Sequence, residues 1–140
     1  MSLSLHHLHH FNHWALLVSA LILWFLGACW YSPVLFAKPW MAALGIVPGH
    51  ARKGLATGMI SSFLGDLLVA FALLHFIHWS EAATYGAGAF IGFLSWLGFV
   101  AAIQFPQGIY ENRPFKLFAI TSGYWLVGLL IIGGLLAVWR

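Results

Sequence analysis

Six histidines are the residues in this sequence whose type and spacing most directly suggest chemistry. His6, His9, His10 and His13 stand at i, i+3, i+4 and i+7, so a helical arm would carry them on one face. His75 and His78 repeat the i, i+3 step near the end of a later apolar run, and Glu81 follows them. Neutral imidazole is a common ligand for zinc, copper and nickel, so a divalent metal is what this set could hold. The plainer alternative is an exposed polar arm plus two boundary histidines bonded locally, because histidine-rich tracts are a matter of composition rather than geometry. The expectation is weak metal binding and no resident cofactor.

Asp66 is the second candidate. It falls near the middle of an apolar run, where an ionisable group costs about 2.5–3.5 kcal/mol to insert and marks a functional site by default. Ser62, one turn earlier, and Tyr124 are the intramembrane polar residues grouped with it; Thr121, Ser122 and an indole N–H are further candidate partners. Without a cation in reach, a neutral acid donating between two helices is one reading. A relay for protons or cations is the other.

Small residues form a third pattern. Gly54, Gly58, Ser62 and Asp66 recur every four residues; Gly86, Gly88 and Gly92 open one later run, and Gly133 and Gly134 lie in the last. Such faces let helix backbones approach closely, within one bundle or between copies. A fourth group gathers at polar connections: Trp30, Tyr31, Ser32, Pro33 and Lys38 in one, Tyr110, Glu111, Asn112, Arg113, Pro114 and Lys116 in the other. It reads as a charge-paired surface whose Arg113 and Lys116 meet lipid headgroups, with docking of a partner as the alternative. There is no glycine-rich phosphate loop, zinc-spaced cysteine set, HExxH or Ser/His/Asp arrangement, so the expectation is a protein without enzymatic activity.

The elements that position these residues follow from composition. Of the 140 residues, 62% are hydrophobic and 6% charged, against about 25% charged in a soluble domain. So few polar groups cannot cover a globular surface, and the outside must face lipid. The 8 tryptophans suit the headgroup boundary. A net charge of +3 is too small for a nucleic-acid partner. The single cysteine, Cys29, excludes an internal disulfide. It closes a Leu26-Gly-Ala-Cys29 stretch like a lipoprotein cleavage box, but no basic residue precedes it and an aromatic pair follows, so an uncleaved helix is expected.

Four apolar runs are long enough to span a bilayer: about 14–31, 55–79, 86–105 and 117–139, after a polar arm over 1–13. Without water in the bilayer core they must be helices or a closed barrel, and continuous runs without period-two alternation mean helices. Pro33 and Pro106 are expected to end the first and third spans. Pro39 suits the first position of a short surface helix to Leu44, with Gly45 as its cap. The fold class is therefore all-α, an integral membrane four-helix bundle of two hairpins in one domain over 14–140. Lys38, Arg52, Lys53, Arg113 and Lys116 fall in the first and third connections, which the positive-inside rule keeps cytoplasmic. Both termini are then outside. The expected partners are the lipid bilayer and a second copy or a larger membrane complex.

Two signatures carry a family resemblance. One is Gly27-Ala-Cys-Trp-Tyr-Ser-Pro-Val-Leu-Phe-Ala-Lys-Pro-Trp40. The other is Trp96-Leu-Gly-Phe99, then Tyr110-Glu-Asn-Arg-Pro-Phe-Lys-Leu-Phe118, Gly123-Tyr124 and Trp139-Arg140. Together they resemble the DUF1761 family of small bacterial membrane proteins, over roughly residues 14–140. The resemblance implies four membrane helices, in the inner membrane of a bacterial cell. It implies no activity, substrate or catalytic residue, because the family has none assigned. The leading expectation is a non-enzymatic accessory or interaction subunit. A small dimeric transporter or channel using Asp66, and an outer-face metal-binding protein using the histidines, are the alternatives.

Overall fold

A computed structural model describes residues 12–32, 34–45 and 55–139. The described chain is helical: α1 (His13–Trp30), α2 (Ala37–Leu44), α3 (Leu55–Ser80), α4 (Tyr85–Trp96), α5 (Ala102–Tyr110) and α6 (Phe115–Val138). A π turn, Leu97–Ala101, joins α4 to α5 without interrupting the rod. Four stretches are long and apolar enough to cross a membrane: α1, α3, the α4–α5 rod and α6. The protein is thus an all-α membrane bundle with a short surface helix after its first span.

Local chemistry sets the ends. Asn12 caps α1, its Oδ1 accepting from the N–H of Trp14 and Ala15 at 3.1 and 3.2 Å. α1 runs through Cys29 as one helix. Gly45 closes α2 in the left-handed region, at φ 73°. The two tight turns reuse that device without glycine. Glu81 (φ 58°) and Asn112 (φ 54°) sit just past α3 and α5. Behind each, paired N–H groups return to the last helical carbonyls: Glu81 to His78 and Ala82 to Ile77, Asn112 to Ile109 and Arg113 to Gly108.

Two proline expectations need correction. Pro106 does not end the third span; the helix continues through it to Tyr110. A proline costs a helix one N–H and crowds the carbonyl four residues back. Here that happens close to the polar end of the span, where water or headgroups can meet the freed carbonyl, and one turn beyond a segment already widened. Pro39 is the third residue of α2, not the first. It still lies within the first turn, where no helical acceptor awaits its N–H.

α6 is the central helix. Half of its apolar window is buried, against 17% for the third span. It lies antiparallel to α4, and Gly88 and Gly92 bring the two backbones together. A Cβ on Gly88 would overlap the Gly133 carbonyl, and one on Gly92 the Leu129 carbonyl. α1 also runs antiparallel to α6, where Trp30 Nε1 donates to Ile120 O at 2.9 Å. Against α3, Trp24 Nε1 donates to Met59 O at 3.2 Å and its ring meets Phe63 edge-on. Leu23, Leu73, Leu74, Ile77, Ile132 and Leu136 fill the core between these helices. Asn12 and Trp139 therefore lie at the same end of the bundle.

Candidate functional site

Tyr124 and Asp66 come together where α1, α3 and α6 meet, while Ser122 faces α4 from the other side of α6. Asp66 is 4% exposed, Tyr124 6%, Ser122 1% and Ser19 0%. Tyr124 donates its hydroxyl to Leu23 O at 2.5 Å. Ser122 is met by the Trp96 indole, whose Nε1 lies 2.8 Å from its carbonyl and 3.0 Å from its hydroxyl. Thr121 returns its hydroxyl to Leu117 O at 2.9 Å. The candidate partners of Asp66 are thus bonded elsewhere. Ser62 is exposed on the outer side of α3, and among the described residues the Asp66 carboxyl makes no hydrogen bond. Tyr124 lies within electrostatic reach of it.

Ser19 joins this group through the register of α1 and α3. It lies five residues before Trp24, about 7.5 Å along the helix. Asp66 lies about as far beyond the Met59–Phe63 stretch that Trp24 touches, so both stand at one level of the bundle. The Ser19 hydroxyl is fully buried and has no hydrogen-bond partner. Sequence reasoning passed over it, because one serine in an apolar run carries no periodic signal.

The histidines stand apart from this centre. His6, His9 and His10 lie outside the described residues. His13 is exposed at the start of α1. His75 is half-buried, with Nδ1 2.8 Å from Phe71 O and its ring against those of Phe71 and Trp79. His78 is half-buried one turn on, and Glu81 is exposed beyond it. Among the described residues no three metal-ligating side chains converge.

The residues singled out in the two connections meet at the opposite end of the bundle. Trp30 packs against Phe36, with ring centroids 4.8 Å apart. Tyr31 lies between Trp40 and Tyr124, at 5.1 and 5.9 Å. Ser32 donates to Cys29 O at 2.6 Å. Lys38 and Tyr110 are exposed, Pro114 caps α6 from outside, and Pro33 lies outside the described residues. Arg113 Nε lies 2.8 Å from Glu111 Oε2, and Gln107 Nε2 3.2 Å from Oε1. Hydrogen bonds from Arg113 and then Gln107 hold the Glu111 carboxyl below the usual glutamate range. Beside this pair, α2, α5 and α6 enclose an open groove of about 540 Å³. A second, apolar cleft of about 280 Å³ lies between α3 and the third span, floored by Trp125 and Leu129 of α6.

A bundle of four apolar spans around a small polar centre defines the class: a multi-pass α-helical membrane protein. Residues 14–137 match the family described as "Protein of unknown function (DUF1761)", and the chain belongs to it. No curated protein matches the chain, and neither does any solved structure.

Proposed function

We propose that this protein is a non-enzymatic membrane subunit that works by assembly, packing its second span against another copy of itself. One observation carries this reading. Gly58, Ser61 and Ser62 are exposed along one side of α3, Gly65 is half-exposed beside them, and a Cβ on Gly58 or Gly65 would meet nothing within 4 Å. Small residues of this kind bring α4 onto α6, where they are used. Facing lipid, a glycine weakens its helix and gives nothing in return, whereas against a second helix it permits close approach. The test counts subunits by single-molecule photobleaching in liposomes, for the wild type and for Gly58→Leu combined with Ser62→Leu. Wild-type oligomers that become monomers support assembly through this face. A monomeric wild type, or a variant that assembles unchanged, refutes it.

The basic connections favour an orientation with both termini outside, and the family resemblance favours the inner membrane of a bacterial cell as the membrane. A reporter active only in the cytoplasm is then silent after Arg140 and active near Gly49; the reverse pattern overturns this orientation.

A second reading rests on Asp66. A buried carboxyl without a hydrogen bond, level with the unpartnered Ser19 hydroxyl, is what a carrier of protons or small cations would need. Proton and sodium flux in liposomes, wild type against Asp66→Asn, separates the two. Wild-type flux abolished in a folded Asp66→Asn would replace assembly with transport.

A further inference from the structure

The groove beside Arg113 and Glu111 has a mixed lining, and the mixture narrows what can occupy it. Its walls are aromatic: Trp40 from α2, Phe105 from α5 and Phe118 from α6. Gln104 and Thr121 supply polar groups deeper in, about 9 Å inward from the ends of their spans by helical rise. Glu111 and Arg113 stand at the mouth, where α5 turns into α6. One end of any occupant must therefore be apolar and the other polar. The mouth also lies at the level where a bilayer changes from hydrocarbon to headgroup, because the third and fourth spans stop at Tyr110 and Phe115.

Charge makes the choice finer. The charged side chains lining the groove are one guanidinium and one carboxylate, so their sum is zero. Arg113 uses its Nε on Glu111. Among the described residues its two terminal nitrogens make no hydrogen bond, and neither does the amide nitrogen of Gln104. A guanidinium edge matches two phosphate oxygens. The Glu111 oxygens each accept one bond and keep lone pairs for another donor. An adjacent phosphate and ammonium would satisfy both residues at once.

We propose that this groove is a binding site for a phospholipid with an amine-bearing zwitterionic headgroup, phosphatidylethanolamine. Its phosphate sits on Arg113, its ammonium on Glu111, and an acyl chain lies along the aromatic walls. Phosphatidylcholine matches the phosphate, but its quaternary nitrogen has no N–H to donate to Glu111. Phosphatidylglycerol matches the phosphate and sets a net negative headgroup beside a carboxylate.

The test is native mass spectrometry of the purified full chain with the three lipids at equal concentration and matched acyl chains. A charge-assisted hydrogen bond corresponds to about tenfold in affinity, so phosphatidylethanolamine is retained about tenfold over phosphatidylcholine. Glu111→Gln abolishes that preference and lets phosphatidylglycerol overtake, because the lining becomes net positive. Arg113→Gln weakens all three. Equal retention of ethanolamine and choline lipids by the wild type overturns the proposal, and that comparison needs no variant to fold. Tighter phosphatidylglycerol than phosphatidylethanolamine in the wild type also overturns it, in favour of an anionic-lipid site. So does an ethanolamine preference that survives Glu111→Gln.

Discussion

α6 makes two seams, and they are built by opposite means. Against α4 it uses absence: Gly88, Gly92 and Gly133 have no side chains, and backbone lies on backbone. Against α1 it uses reach: Tyr124 and Ile120 are joined to α1 by a phenol and an indole that span to main-chain carbonyls. The first seam tolerates no added atom. The second tolerates loss, because Leu23 O and Ile120 O sit within helices that already supply backbone donors. A membrane offers no hydrophobic drive between helices, so dispersion contact at the glycine seam and anchored contact at the aromatic one must each hold separately.

The sharpest break in this comparison is Gly92→Leu. The new side chain starts where the Leu129 carbonyl lies, so α4 must move away from α6. The expected loss is about 3 kcal/mol, the upper end for overpacking, read as detergent thermal stability. Gly86→Leu, on the same helix but with open space around its Cβ, should change the same melting point little. Equal effects at the two sites would mean that α4 does not touch α6 as described.

Trp96→Phe is next. It removes the indole donor from Ser122 and leaves a buried hydroxyl without it, so about 2 kcal/mol is expected. Tyr124→Phe should cost less, about 0.6 kcal/mol, the average for interhelical hydrogen bonds in membranes. Chemical denaturation in mixed micelles can rank the two. Tyr124→Phe proving the worse would show that the tyrosine hydroxyl supports more than the Leu23 carbonyl, with Asp66 the nearest claimant.

The smallest effect lies outside both seams. Glu111 is held below the usual glutamate value of about 4.3. A depressed carboxyl adds stability above its unfolded value and loses it as pH falls through the folded one. The Arg113 pair is therefore intact at neutral pH and opens only in acid, below the ordinary glutamate range. A carboxyl NMR titration should show that low midpoint, and Arg113→Gln should move it up. Little change in global melting is expected, because the pair is exposed and screened.

The spans were legible because lipid leaves no alternative: Trp14, Trp30, Trp79 and Trp139 bracket apolar runs of the right length. Gly45 was legible because a left-handed cap needs it. Pro106 misled, since the rule that proline stops a helix assumes the freed carbonyl has no other partner. The stripe from Gly54 to Asp66 was legible as a period, but not as a division. In the structure Asp66 turns inward while Gly58 and Ser62 stay outside, because an i, i+4 row drifts around the helix by about 40° per step. The groove at Gln104 and Arg113 could not be read at all. It joins three elements whose proximity depends on how α2 folds back.

The π turn has a consequence for anyone drawing a helical wheel of the third span. Gly88, Gly92 and Trp96 advance by fours along the side facing α6. The next buried residue is Ala101, five further on, and Ala102 N–H accordingly bonds back to Leu97 O. One extra residue in that turn shifts the phase of everything after it. The wide turn thus acts as a gear between two halves of one rod, each with its own alignment. Deleting a single residue there would rotate the half carrying Gln107 and Tyr110 by about 100° relative to the half carrying the glycines.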